Sequence, residues 1–145
     1  MREIRFRGKR EDSGEWVYGG FYHGIMSETD NPFSLDNARI KTIILQEGTY
    51  YHVTSETVGQ YTGLLDKNGT KIFEGDIVKW GHLANSREKP IRIAVVEFNP
   101  DIQYRTVTMG DTYFKQGCFA YAETQFYLEV IGNIHENPEL LEVEK

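Results

Sequence analysis

Between Thr57 and Trp80 the chain reads TVGQYTGLLDKNGTKIFEGDIVKW, and this stretch limits the fold more than any other. Asp66-Lys67-Asn68-Gly69 separates two apolar segments. An Asp opening such a turn bonds back to the backbone, and Asn-Gly accepts the left-handed φ values that a tight hairpin demands. Glu74-Gly75-Asp76 is a second tight spot, where the chain redirects into Ile77-Val78-Lys79-Trp80. Turns this close together leave no room for a helix. The stretch reads as a hairpin, then a break that admits the chain to a second β structure. It is a pivot between two small β units.

The flanking sequence has the same grain. Ile4 and Phe6 alternate with Arg5 and Arg7, which is the period of a half-buried strand. Glu11-Asp12-Ser13-Gly14 is a turn signal and Trp16-Val17-Tyr18 opens a second strand, so residues 3–22 read as a β-hairpin. Residues 24–38, GIMSETDNPFSLDNA, have no clean period and read as a long loop. Strand character returns at Ile40–Gln46 and Tyr50–Val53, and Thr54–Thr57 reads as a short helical turn limited by Gly59. After Trp80 come a polar loop over 81–90, a nearly continuous apolar strand over Ile91–Phe98, an alternating segment over Tyr104–Met109, and short strands at Cys118–Tyr121 and Phe126–Ile134. Gly132 reads as a bulge, and Pro138 as the start of one helical turn in a short acidic tail. No segment keeps an i, i+3, i+4 apolar pattern over three helical turns. The expected fold is mainly β with little helix: an N-terminal β subdomain over residues 1–65, then an SH3-like β-barrel over 66–145, built from roughly five strands.

Composition agrees. Aromatic residues make up 13% of the 145, and Gly 14 against Pro 4 suits tight β-turns rather than a disordered linker. The net charge of −6 argues against a strongly basic nucleic-acid-binding domain. The charge is uneven, however. Residues 1–10 carry five basic groups against Glu3, and residues 129–145 carry five glutamates against Lys145, so the two ends attract each other within or between subunits. The single cysteine, Cys118, excludes an intramolecular disulfide or a multi-cysteine zinc site and fits a reducing cytoplasm. The opening MREIRFRGKR lacks the apolar core of a signal peptide, and no run approaches the ~20 apolar residues of a membrane helix.

The opening MREIRFRGKR with GEWVYGGF, the central TVGQYTGLLDKNGTKIFEGDIV and the closing EVIGNIHENPELL together resemble the YopX-like protein family of bacterial phages and prophages. The resemblance covers essentially the whole chain apart from the loops at 24–38 and 81–90. It implies a mainly β protein with an SH3-type C-terminal part, a phage or prophage origin and homo-oligomer formation. It carries over no catalytic residues.

The chemistry-bearing residues point the same way. His23, His52, His82 and His135 lack metal-ligand spacing, and Asp66, Asn68 and Gly69 miss the glycine position of a calcium loop. Glu74 and Asp76 would share a strand face, but Gly75 breaks the strand between them, so they read as backbone-bonding turn residues. Cys118 has no base or positive field nearby in sequence and reads as a small core residue. No catalytic residue, metal or cofactor is therefore expected. The leading expectation is a cytoplasmic, non-enzymatic binding or assembly module that pairs with itself and with an unidentified protein partner. The alternative is a nucleic-acid accessory factor. It would use a row of Arg5, Arg7 and Lys9 on the first strand, with Trp16, Tyr18, Phe21 or Tyr22 stacking bases and Arg87, Lys89 and Arg92 adding charge. A hydrolase using Glu74, Asp76 and a histidine is the third reading.

Overall fold

The computed structural model describes residues 3–26, 39–80, 92–98, 101–106, 112–115 and 128–142. Eleven strands follow in chain order: β1 (Phe6–Lys9), β2 (Trp16–Met26), β3 (Arg39–Gln46), β4 (Thr49–His52), β5 (Gly59–Leu65), β6 (Lys71–Phe73), β7 (Asp76–Trp80), β8 (Arg92–Phe98), β9 (Ile102–Thr106), β10 (Thr112–Lys115) and β11 (Glu129–Asn133). Short 3-10 turns at Ser55–Thr57 and Pro138–Leu141 stand where one helical turn was expected. The chain divides into two compact units, Met1–Gln60 and Tyr61–Lys145. Among the described residues no helix is long and apolar enough to cross a membrane.

In the first unit, antiparallel strands follow the order β4-β3-β2-β1, and the start of β5 pairs with β1 through Gly59 and Gln60. Strand β2 serves two partners. Trp16–Gly19 pairs with β1, and Gly20–Met26 pairs with β3. Gly19 marks the switch. A Cβ there would lie 1.8 Å from the Leu45 carbonyl oxygen, an approach only glycine allows. The expected loop over 24–38 begins later than the sequence suggests. Gly24, Ile25 and Met26 continue β2 because each pairs with β3, and residues 27–38 lie outside the described set. The core of this unit is small. Val17, Ile44 and Val53 are buried, with Phe6, Tyr51 and Val58 packed against them.

In the second unit the rest of β5 pairs with β6, with a register slip between Tyr61 and Leu65. A five-stranded antiparallel sheet follows in the order β10-β9-β8-β7-β11. The described strands do not close into a barrel: β10 and β11 are the two edges of this sheet and have no ladder to each other. What forms is an open antiparallel sheet in place of the expected SH3-like barrel. Its core is larger: Ile72, Val78, Trp80, Ala94, Val96, Ile102, Tyr104 and Leu128 are buried together, and Trp80 meets Tyr104 edge to face at 6.1 Å. The bulge expected at Gly132 is present as a register slip between Val130 and Gly132.

Two buried carboxylates hold this unit's turns. Asp66 accepts hydrogen bonds from the Asn68 and Thr70 amides at 2.9 and 2.8 Å, and from the Val130 amide at 2.9 Å. The hairpin turn is thereby tied to β11, 64 residues away. Asp76 accepts from the Phe73 amide at 2.8 Å across the Glu74-Gly75 turn. Gly75 has φ of 89°, its N–H donates to the Val96 carbonyl, and its own carbonyl accepts from Ile134. Both carboxylates are backbone-bonding devices, as the sequence indicated.

Two measurements test this account. Asp66→Ala strands three amides, and urea denaturation should show a loss of about 3 kcal/mol or more, with refolding otherwise intact. Tyr104 is wholly buried, and burial pushes its phenol well above the ordinary value of 10.0. Its contribution is then fully present below pH 10.0 and is lost as pH rises further, because only the unfolded chain gives up the proton. Stability should fall above that pH, and less so in Tyr104→Phe. Phenolate absorbance should show one of the nine tyrosines titrating only as the chain unfolds.

Candidate functional site

The first unit carries a surface whose composition follows from register. Side chains alternate across a strand, and directly paired residues share a face. One face of β1–β4 therefore holds Phe6, Val17, Phe21, Ile25, Ile40, Ile44 and Tyr51, the small core and its continuation. The opposite face holds Arg7, Lys9, Trp16, Tyr18, Tyr22, Arg39, Lys41, Leu45, Tyr50 and His52. These four strands contain no Asp or Glu, and all four of their Lys and Arg side chains fall on that second face. Within these four strands the charged side chains are therefore all basic and share a face with aromatic rings, while Glu3, Glu15 and Glu47 flank the strands in sequence.

The rings are arranged rather than scattered. The Arg7 guanidinium lies 4.6 Å from the centre of the Trp16 ring, and Lys9 Nζ lies 5.8 Å from the same ring. Trp16 is thus oriented from the β1 side by stacked charge. The Tyr18 N–H donates to Gln46 Oε1 at 2.9 Å. Tyr22 lies along β2 over Gly24, its hydroxyl donating to the Ile25 carbonyl at 3.1 Å. On β4, Tyr50 meets the His52 ring edge to face at 5.9 Å. Gly20 sits between Tyr18 and Tyr22 and pairs with Leu45, which in turn pairs with Tyr50. No atom lies within 4 Å of where a Gly20 Cβ would point, so the four larger side chains surround an open floor.

The residues expected from sequence fare differently. Arg7 and Lys9 share the face with Trp16 and Tyr18, as the alternation required. Arg7 is only 7% exposed, so it backs the surface rather than lining it. Arg5, just before β1, pairs with Glu3 at 2.9 Å. Arg92 opens β8 in the second unit, opposite Trp80. Arg87 and Lys89 lie outside the described residues. Sequence reasoning missed Arg39, Lys41, Leu45, Tyr50 and His52. Their only signal was the period-two placement of Arg39, Lys41 and Leu45 along β3, which gains meaning once the β2–β3 register is known. Of the acid–base set in the third reading, Asp76 accepts a hydrogen bond from the Phe73 amide through its carboxylate. Among the described residues, no group of three His, Cys, Asp or Glu side chains is placed to hold a metal ion.

The described residues define a class: a mainly β protein of two units, each with a core, the first presenting an aromatic-rich sheet face. The chain belongs to the YopX protein family, whose model matches residues 5–142. Among solved structures, the crystal structure of protein EF1440 from Enterococcus faecalis is similar, with a TM-score of 0.54 and 24% identity. The match covers 98% of this chain and 100% of that one, and at this identity it speaks to the fold alone. A search of curated proteins gives no match.

The Arg7–Trp16 stack yields a direct test. Arg7→Ala should cost about 1–3 kcal/mol in denaturant unfolding through lost packing and cation–π contact, and Trp16 emission should shift to the red. Arg7→Lys should recover only part of the loss, because an ammonium cannot stack as a plane.

Proposed function

We propose that the protein is a non-enzymatic, phage- or prophage-encoded assembly module that works as a homo-oligomer in the cytoplasm of its bacterial host. One observation carries this reading. All eight large apolar side chains exposed among the described residues lie in the first unit: Ile4, Tyr18, Phe21, Tyr22, Ile25, Ile40, Leu45 and Tyr50. Among the side chains described, the large apolar residues of the second unit are buried or partly buried. A first unit with three buried core residues and this much exposed apolar surface is built to be covered by something else.

A second copy of the chain suits the aliphatic face. Ile25 and Ile40 are directly paired there, at 63% and 68% exposure, with Phe21 further along the same face. Beyond Gly19 the ladder to β1 ends, so no described strand lies on the outer edge of Gly20–Met26, a segment without charge or proline. Such an edge pairs readily with another strand, and identical edges satisfy each other by two-fold symmetry. The non-enzymatic part of the reading is supported by the buried carboxylates Asp66 and Asp76, which are engaged with backbone amides.

Sedimentation velocity over a wide concentration range tests the proposal. The chain should sediment as an oligomer, and the Ile25→Glu/Ile40→Glu double variant as a monomer. Because both side chains are exposed within one chain, the variant should keep its far-ultraviolet dichroism. A particle that is monomeric at every concentration overturns the reading.

A further inference from the structure

We infer that the aromatic and basic face of the first sheet, opposite the face assigned to self-association, binds single-stranded nucleic acid. Four observations converge. The four strands carry no carboxylate, and their four cations all fall on this face. Exposed rings share the face: Tyr18, Tyr22 and Tyr50, the last at 55% exposure, with His52 beside it. The floor at Gly20 is open, giving a flat base room to lie among Tyr18, Tyr22, Leu45 and Tyr50. The Tyr22 hydroxyl is tied to the Ile25 carbonyl and the Tyr50 ring meets His52 edge to face, so these two rings are positioned before a ligand arrives.

This division of chemistry decides the occupant. Apolar protein contact needs no cations, and the opposite face shows what such a surface looks like here: Phe21, Ile25 and Ile40, with no Lys or Arg on that face of the paired strands. Exposed rings with cations at the two ends of their cluster suit a polyanion whose units have π-faces, which describes unpaired nucleotides. Stacking on a sheet requires the bases to be unstacked and accessible, so a duplex is a poor fit. Lys9, Arg39 and Lys41 lie toward the two ends of the ring cluster, Lys9 opposite Trp16 and Lys41 opposite Gly24. Phosphates would run between these ends while bases meet the rings. Arg7, buried under Trp16, acts as a positioning residue for that ring.

The test uses the full chain and a fluorescent oligodeoxythymidine of about 15 nucleotides, read by anisotropy, with the matching oligouridine as a second arm. Binding of either at low salt is expected, and preference between the arms assigns DNA or RNA. Affinity should fall with salt, with a log–log slope near −0.7 for each phosphate neutralised, and Lys41→Ala should reduce the slope by about that amount. Tyr22→Ala and Tyr50→Ala should each weaken binding at least about fivefold with the slope unchanged, while Tyr50→Phe should keep most of the affinity. The Ile25→Glu/Ile40→Glu variant should retain ring-dependent binding, and Tyr50→Ala should retain the oligomer, which separates this inference from the previous one. Three results would overturn it: no binding of either oligonucleotide at low salt, affinity unaltered by both tyrosine truncations, or competition by polyglutamate as effective as by unlabelled oligonucleotide. The last outcome would make the face a site for acidic protein segments.

Discussion

The second unit depends on one buried carboxylate. Asp66 gathers the amides of Asn68, Thr70 and Val130, so a local turn and the final strand answer to the same two oxygens. A buried carboxylate is tolerable only when such donors surround it. Here they come from the turn it initiates and from β11, whose return brings Val130 alongside. With that junction made, β7 lies between β8 and β11, and its side chains are buried on both faces.

Local chemistry was the legible part of the sequence. The Asp66–Gly69 hairpin, the backbone role of Asp76, the bulge at Gly132 and the single helical turn at Pro138 each depend on a few adjacent residues, and each could be read from them. Closure of the second sheet could not, because it depends on whether strands distant in sequence form a ladder. The described edges β10 and β11 do not. The extent of β2 was hidden for a related reason. Gly24 looks like a loop residue until Lys41 is seen opposite it.

The candidate surface shows the same division. Alternation correctly placed Arg7 and Lys9 on one side of a strand, with Arg5 falling before β1, but it says nothing of depth. Arg7 is buried because Lys9 pairs with Trp16 and the indole turns back over its neighbour. The other half of the surface comes from β3 and β4, whose faces are fixed relative to β2 by a register that a one-residue slip would invert. Arg39 and Lys41 are unremarkable in sequence. They become meaningful when seven consecutive pairs put them on the face of Tyr22 rather than on that of Ile25.

The contrast between the two cores has a consequence for motion. Among the described residues, eight buried side chains form the core cluster of the second unit, whereas Val17, Ile44 and Val53 form that of the first. Opening free energy tracks buried apolar contact, so amide protons of β2, β3 and β4 should exchange through partial openings well before those of β7 and β8. Any occupant of that sheet raises the free energy of those openings in proportion to its own affinity. The first unit is therefore its own reporter: protection of its amides measures how completely its surface is occupied.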